Sequence, residues 1–294
     1  MEGFVPTSDD DAAPIALLNR AAALLEVFGA RQTLTLAEIT RYSHVPRSST
    51  HRILQGLVQL GWIERHGAEY TLGLKMFEFG RQAVRQRRVP EAALPVMADL
   101  HRRTGLTAHL SVLTGTHVLH IERFGMWPSS GSCWQVGFKQ PVEQSAAGRA
   151  LLAQMDESAW PELRYAVTSP YGIRNRAELD RSLAAVGARG GVAVDAEGCE
   201  RGVTVVAAPI SVSEGGNQFA LSLCGPARST RIEPVAAAVH SASWAICHSL
   251  SDVPRNGARQ SRAAHRVVTP AMIHRTGEPT VAAVGGRRQE PRGA

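Results

Sequence analysis

The sequence predicts an α+β protein with two domains joined by a linker helix. Its 294 residues are about twice an average domain, and a hydrophobic content of 44% is enough for a packed core in each. Apolar residues recur at helical spacing over residues 17–60, whereas alternating apolar and polar runs appear from residue 106 onwards, between further helical segments. The chain is therefore expected to begin with a small helical domain and to continue with a larger one built on a largely antiparallel sheet.

Three helices are predicted in the first domain. The first covers residues 17–29, where leucine, alanine and phenylalanine recur at three- and four-residue steps. The second begins after Thr35, because Glu38 three residues later completes a capping box. The third begins at Pro46, whose missing N–H suits a first helical turn, and it ends near Leu60.

The third helix has a polar outer face. Thr50, Leu54 and Leu57 fall on its inner side at 100° per residue. The opposite side contains no acidic residue and consists of Arg47, Ser48, Arg52, Gln55 and Gln59. Arginine pairs with guanine, glutamine pairs with adenine, and serine hydroxyls suit phosphate oxygens. The three helices therefore indicate a helix-turn-helix whose third helix enters the major groove, with a solvated helix face as the alternative.

A β-hairpin is predicted directly after the third helix. The strand-like runs 62–65 and 69–72 flank the turn His66-Gly67-Ala68, and this arrangement is typical of the wing of a winged helix. Arg65 and His66 at its tip are placed either to touch the DNA backbone or minor groove or to remain in solvent. The charge distribution favours DNA, because residues 12–90 contain eleven basic and five acidic residues, whereas residues 91–250 contain thirteen and fourteen.

The larger domain is predicted to mix helices with hairpins. The expected helices are 74–88 (the linker), 91–105, 146–155, 161–167, 177–186 and 231–250, and the expected strands are 106–113, 117–123, 191–195, 204–212 and 218–224. This order favours an α+β domain with a largely antiparallel sheet over a doubly wound parallel sheet.

One strand of the larger domain suggests a cavity. In residues 218–224 one face carries large side chains, while the other carries Ala220, Ser222 and Cys224. A ligand cavity and a closely packed helix both explain the small face. The sequence Ser145-Ala146-Ala147-Gly148 begins a helix, and free N–H groups there suit a carboxylate.

The DNA-binding half of the chain resembles the IclR family of bacterial transcriptional regulators. The resemblance is carried by the LAEI helix, the PRSSTHR start of the third helix, the LGWIER entry to the wing and the YTLG exit from it. It implies operator contacts by Arg47, Ser48, Ser49, His51 and Arg52. Gln55 and Arg65 join these DNA-binding candidates through their side-chain chemistry and position.

The resemblance continues through the larger domain and covers roughly residues 13–250. The matching stretches include HLSVLTGTHVLHIERF, VGFKQPVEQSAAGRALLA and GVAVDAEGCERGVTVVAAPI. It implies a GAF-like domain that binds a small effector, often an organic or aromatic acid, and mediates oligomerisation. The implied effector-binding residues are Ala146, Ala147, Asp195, Val203, Val205, Ser222 and Cys224, with His109 and Ser111 as further candidates. Two positions depart from the family pattern: Glu143 stands where many members have histidine, and Val205 replaces a frequent pocket cysteine.

The sequence thus predicts a transcriptional regulator that binds a palindromic operator as a homodimer or dimer of dimers, because two-fold symmetric DNA needs two recognition helices about 34 Å apart. No cofactor, metal or catalytic residue is expected, since hydrolase, metalloprotease and phosphate-loop motifs are absent from the sequence. The alternatives are an enzyme acting on a small acid and a DNA-binding protein without a ligand. A metal held by His109 and His120 is a minor alternative.

The expected organisation is a disordered leader (1–12), a winged helix-turn-helix domain (13–73), a linker helix (74–90), an effector-binding and oligomerisation domain (91–250) and a disordered basic tail (251–294). The tail either adds affinity for phosphate or is an extension without a role. The four cysteines, Cys133, Cys199, Cys224 and Cys247, are expected to be free thiols. The sequence contains neither a membrane-spanning run nor a basic signal-peptide start, so a cytoplasmic location is expected.

Overall fold

A computed structural model describes residues 9–125, 134–167, 169–214 and 217–251. The helices are α1 (Asp9–Glu26), α2 (Leu36–Ser43), α3 (Arg47–Gln59), α4 (Leu74–Arg85), α5 (Arg88–Thr104), α6 (Ala146–Leu152), α7 (Arg176–Ala188) and α8 (Ile232–Ser251). The strands are β1 (Leu34–Thr35), β2 (Ile63–His66), β3 (Glu69–Leu72), β4 (Thr107–Thr114), β5 (His117–Phe124), β6 (Lys139–Pro141), β7 (Ala193–Ala196), β8 (Val203–Glu214) and β9 (Asn217–Pro226).

The first domain is a winged helix-turn-helix. Its capping box is formed: the Thr35 backbone N–H donates to Glu38 Oε2 at 2.8 Å, and the Glu38 N–H donates to Thr35 Oγ1 at 3.4 Å. His44, in the left-handed conformation, makes the turn between α2 and α3. The wing strands β2 and β3 pair antiparallel, and β1 extends this sheet in the order β1-β3-β2. The helices and the wing enclose one core, in which Leu24, Phe28, Leu34, Ile39, Val45, Leu54, Leu57, Ile63 and Tyr70 are buried.

The larger domain has three layers around a six-stranded antiparallel sheet. The strand order is β6-β5-β4-β9-β8-β7. Helices α5 and α8 cover one face, where Met97, Val239 and Phe219 belong to one buried cluster. Helices α6 and α7 cover the other face, where Ala147, Leu179 and Ala220 belong to a second cluster. We call this second face the α6 face.

Several predicted boundaries change in the structure. The helix predicted at 161–167 is wrong, because this segment contains no helix; the Tyr165 N–H donates to the Glu143 carboxylate at 3.0 Å, with Tyr165 at φ +52°. Helix α6 ends at Leu152, three residues before the predicted end. Helix α1 already begins at Asp9, inside the predicted leader.

The remaining predicted elements of both domains are present, with shifts of a few residues. Helix α5 begins at Arg88, three residues earlier than predicted, and α4 ends at Arg85. None of the described helices is both long and apolar enough to cross a lipid bilayer. The free-thiol prediction holds for Cys199, Cys224 and Cys247, whereas Cys133, residues 1–8 of the leader and residues 252–294 of the tail lie outside the described residues.

Candidate DNA-binding and effector-binding sites

Helix α3 presents its polar side chains outward. Thr50, Leu54 and Leu57 anchor the helix in the core, and the Thr50 hydroxyl donates to the Val45 carbonyl at 3.1 Å. Arg47, Ser48, Arg52 and Gln55 are exposed on the opposite side, while Ser49 and His51 are half-buried at its flank. Among the described residues, neither Arg47 nor Arg52 takes part in an ion pair with a carboxylate. Their guanidinium groups are therefore free to meet phosphates or base edges.

The wing places a further arginine near its tip. Arg65 is exposed, its Nε donates to the Gly67 carbonyl at 2.9 Å, and its guanidinium lies 5.6 Å from the centre of the Tyr70 ring. These contacts hold the Arg65 side chain along the hairpin. Gly73 then turns the chain from the wing into α4, and the backbone is so close there that a Cβ at this position would lie 2.2 Å from the Gly61 carbonyl oxygen.

An apolar surface covers one side of the first domain and α4. Leu17, Leu18, Leu60 and Trp62 line a groove of about 440 Å³ between α1 and α3, and Trp62 makes an edge contact with Phe79 of α4. Helix α4 has no buried residue. The exposed apolar side chains here are Ile15, Leu17, Leu18, Leu60, Leu74, Phe77 and Phe79, and we call them the linker-side apolar surface.

The structure brings all seven predicted effector-binding residues to the α6 face. Across antiparallel strands, paired residues point to the same side of a sheet. His109 pairs with Ser222, Ser222 with Ala207, Cys224 with Val205, and Val205 with Asp195, so these residues share one face. Val203, which alternates with Val205 on β8, lies there too, and Ala146 and Ala147 approach from α6. All seven are buried.

Helix α6 packs directly on the small strand face. Ala146, Ala147, Ala220 and Cys224 belong to one buried cluster, so the closely packed helix accounts for part of the pattern that also suggested a cavity. The fit is tight, because a Cβ on Gly148 would lie 1.9 Å from the Val142 carbonyl oxygen.

Asp195 is engaged within the protein. Its Oδ1 accepts from Arg149 Nη2 at 2.9 Å, and its Oδ2 accepts from the Cys199 N–H at 2.9 Å. Arg149 and Asp195 are both nearly fully buried, and Arg149 also donates to the carbonyls of Glu143 and Gln144. The Arg149–Asp195 pair therefore ties α6 to β7. Glu143, which replaces the family histidine, binds the Tyr165 N–H at the same end of α6.

The hairpin contributes a buried polar cluster to the α6 face. Ser111 Oγ lies 2.8 Å from His120 Nδ1, the two imidazole rings of His109 and His120 are 5.1 Å apart, and Cys224 Sγ lies 3.8 Å from His109 Nδ1. Burial lowers the pKa of His109 to about 3, with the nearby His120 as a second cause, and it lowers the pKa of His120 to about 4. Burial also raises the pKa of the Cys224 thiol to about 12. The cluster is therefore uncharged near neutral pH.

The minor metal alternative receives no support from this geometry. Within the described ranges, no three histidine, cysteine, aspartate or glutamate side chains are grouped so that they could hold a metal ion. His109 already uses its Nε2 on the Trp134 carbonyl at 3.1 Å.

A β-bulge in β5 brings Arg123 to this cluster. Ser111 pairs with His120 and His109 pairs with Arg123, so β5 contains one more residue than β4 over this stretch. Without the bulge, strict alternation from His120 would place Glu122 on the α6 face. Instead, Arg123 Nη1 reaches the Trp134 carbonyl at 3.4 Å, and Glu122 bonds Arg81 of α4 at 3.2 Å. The sequence analysis missed Arg123, because alternation does not reveal a bulge. It also missed Trp134 and Glu200, whose indole and carboxylate form a hydrogen bond between residues 66 positions apart.

A winged helix-turn-helix joined to a larger α+β domain is an architecture suited to a DNA-binding regulator. The IclR helix-turn-helix family model matches residues 17–67, and the family model described as bacterial transcriptional regulator IclR C-terminal matches residues 81–248. The chain belongs to the IclR family of bacterial transcriptional regulators, and it is a DNA-binding transcriptional regulator.

Named relatives agree with this assignment. The transcriptional regulator XynR of Escherichia coli (strain K12) is 30% identical over 216 residues, which cover 71% of this chain and 85% of that protein. The Pca regulon regulatory protein of Pseudomonas putida is 27% identical over 79% of this chain and 83% of its own length. An IclR homolog from Microbacterium hydrocarbonoxydans, solved in complex with 4-hydroxybenzoate, superimposes with a TM-score of 0.68 at 28% identity, covering 81% of this chain and 100% of that one.

Proposed function

We propose that this regulator binds a two-fold symmetric operator as a homodimer or dimer of dimers, and that a small organic or aromatic acid bound on the α6 face controls its affinity. The observation that carries the proposal is the buried, uncharged polar cluster of His109, His120 and Cys224 on the sheet face that also bears all the implied effector residues. Within this cluster, His120 Nε2 is buried without a hydrogen-bond partner among the described residues, and a polar ligand would supply one. The 4-hydroxybenzoate bound to the Microbacterium homolog supports the acid class.

The linker-side apolar surface supports self-association. Its side chains include Leu74 at 75%, Leu18 at 68% and Phe77 at 66% exposure, and they form a surface that continues from α1 across Trp62 to α4. Large apolar patches of this kind mark interaction sites. A second copy seated on it would bring two recognition helices into one particle, as a palindromic operator requires.

The bulge in β5 supports a physical route between ligand and DNA. Arg123 and Glu122 are adjacent, yet one faces the polar cluster and the other bonds Arg81 on the linker helix. A ligand that moves β5 would therefore change the contact between Glu122 and Arg81 of α4. Movement of α4 would in turn change the spacing between the two winged helix-turn-helix domains of a dimer. Such a ligand changes DNA affinity only as far as it binds one arrangement better than the other.

Operator recognition is tested with Arg52→Ala, using Arg103→Ala on the exposed surface of α5 as the matched control. We expect Arg52→Ala to weaken binding to the operator, found by footprinting upstream of the protein's own gene, far more than binding to random DNA. Arg103→Ala should leave both affinities near wild type. Equal losses of Arg52→Ala on both DNAs would show that Arg52 touches only phosphate.

Effector control is tested by a thermal-shift screen of small acids on the full chain. Stabilisation that follows mass action for one acid, together with a change in operator affinity at saturation, is the expected result. A saturating acid that stabilises the protein and leaves operator affinity unchanged would refute the proposed control.

A further inference from the structure

Trp134 connects the polar cluster on the α6 face to Glu200. Its backbone carbonyl accepts from His109 Nε2 at 3.1 Å and from Arg123 Nη1 at 3.4 Å, and its indole Nε1 donates to the Glu200 carboxylate. The side chain is only 4% exposed, and its ring centre lies 6.0 Å from that of His109. A buried aromatic ring is thus held with an acceptor at one end and a donor at the other.

The acceptor end has hydrogen-bonding capacity that the protein does not use. The Trp134 carbonyl can only accept, so His109 carries its proton on Nε2, and its Nδ1 accepts from the Cys224 thiol. The Ser111 hydroxyl and His120 Nδ1 lie 2.8 Å apart and form a hydrogen bond. His120 Nε2 is buried and has no hydrogen-bond partner among the described residues.

The same end also has positive charge without a carboxylate. Among the described residues, Arg123 takes part in no ion pair and in one hydrogen bond, the contact with the Trp134 carbonyl. An arginine next to the buried N–H donor of His109 is a setting that favours a carboxylate over a neutral carbonyl.

We infer that Trp134 makes, in the protein without a ligand, the hydrogen bonds that the effector makes when it binds. The effector would then be an aromatic acid with a hydroxyl group opposite its carboxylate. Its carboxylate would take the place of the Trp134 carbonyl at Arg123 and His109, and its hydroxyl would take the place of the indole N–H at Glu200. This inference rests on the proposed function, and it names the class of ligand and the residues that contact the ligand at the same site.

The charges fix the orientation of such a ligand. The carboxylate meets the Arg123 cation, while the hydroxyl donates to the Glu200 anion, so no like charges meet. The reverse orientation would bring the carboxylate against Glu200. An acid without the hydroxyl displaces the indole from Glu200 and offers no bond in return, so it should bind more weakly.

The first test compares 4-hydroxybenzoate with benzoate and with methyl 4-hydroxybenzoate by calorimetric titration of the full chain. We expect 4-hydroxybenzoate to bind about tenfold or more tightly than either, since each analogue lacks one charge-assisted hydrogen-bonding end. Equal affinity of benzoate and 4-hydroxybenzoate would overturn the assignment of Glu200. Equal affinity of the methyl ester would overturn the assignment of Arg123.

The second test asks whether Trp134 competes with the ligand. Trp134→Ala removes the indole that holds Glu200, so it should tighten 4-hydroxybenzoate binding several-fold, whereas Arg123→Gln should weaken it about tenfold or more. Trp160→Ala, which removes another indole donor, bound to the Leu152 carbonyl, is the matched control and should leave binding unchanged. Weaker binding by Trp134→Ala would make Trp134 part of the pocket wall and overturn the inference.

Operator binding of each variant separates this inference from the proposed function. Variants with wild-type circular dichroism and wild-type operator affinity are folded, so their ligand affinities can be compared directly. If no 4-hydroxybenzoate binds to folded, operator-binding protein, the inference fails while the regulator proposal is still judged by the wider acid screen. If 4-hydroxybenzoate binds and operator affinity never changes, the proposed control fails and the site assignment stands.

Discussion

Mild acid should destabilise the protein through its two buried histidines. His109 and His120 have pKa values of about 3 and about 4 in the folded protein, chiefly because burial disfavours the charged ring. In the unfolded chain both titrate near 6.5. Because the folded pKa values are depressed, the unfolded chain binds more protons below about pH 6.5, and stability falls as the pH is lowered towards the folded values. Between pH 7.5 and pH 5 each histidine should cost about 2 kcal/mol, and the pair about 4 kcal/mol.

Urea unfolding followed by circular dichroism at several pH values between 7.5 and 5 measures this loss. His120→Gln should reduce the pH dependence by about 2 kcal/mol, because one of the two groups no longer titrates. His240→Gln, at an exposed position on α8, is the control and should keep the wild-type pH dependence. The comparison uses slopes, so a uniform loss of stability in a variant does not affect it. Parallel curves for wild type and His120→Gln would refute the reasoning.

Three further substitutions test the packing that supports the two sites. Thr35→Ala removes the N-cap of α2 and should lower the free energy of unfolding by about 1 kcal/mol, measured by urea titration; no loss would mean that the capping box is not formed in solution. Gly148→Ala should lower the melting temperature strongly, because the new Cβ would lie 1.9 Å from the Val142 carbonyl oxygen, and an unchanged melting temperature would contradict this close approach. Asp195→Ala should cost about 3–5 kcal/mol by leaving Arg149 buried without its carboxylate, and a loss under about 1 kcal/mol would argue against a buried pair.

Local signals in the sequence sufficed for the DNA-binding half. The capping box of Thr35 and Glu38, the start of α3 and the wing hairpin depend on residues close together in the chain. The capping box and the hairpin are present, and α3 begins at Arg47, one residue after the predicted Pro46, which is its N-cap. The helix predicted at 161–167 failed for the opposite reason. Its backbone is held by Glu143, a residue far away in sequence, and no local pattern could reveal that contact.

The effector site was predictable only in outline. Strand alternation places Ser222 and Cys224 on one face, and the family resemblance supplied the partners on β7, β8 and α6. Arg123 depends on a bulge that shifts the register by one residue, and Trp134 reaches the site through contacts across the fold. Asp195 shows a further limit of prediction from sequence. A carboxylate suits a ligand contact, but in the structure Arg149 and the Cys199 N–H already bind its two oxygens.

The most direct test of the central claim is the operator affinity of the full chain, measured by fluorescence anisotropy with and without a saturating acid that binds the α6 face. The account predicts a two-fold symmetric footprint and a change in operator affinity of about fivefold or more, in the range of typical coupling between sites. At the lowest acid concentration that saturates the wild type, the change should be much smaller in Arg123→Gln, which keeps the recognition helix intact and binds the acid more weakly. A footprint without symmetry, or an operator affinity that stays the same at saturation, would contradict the account.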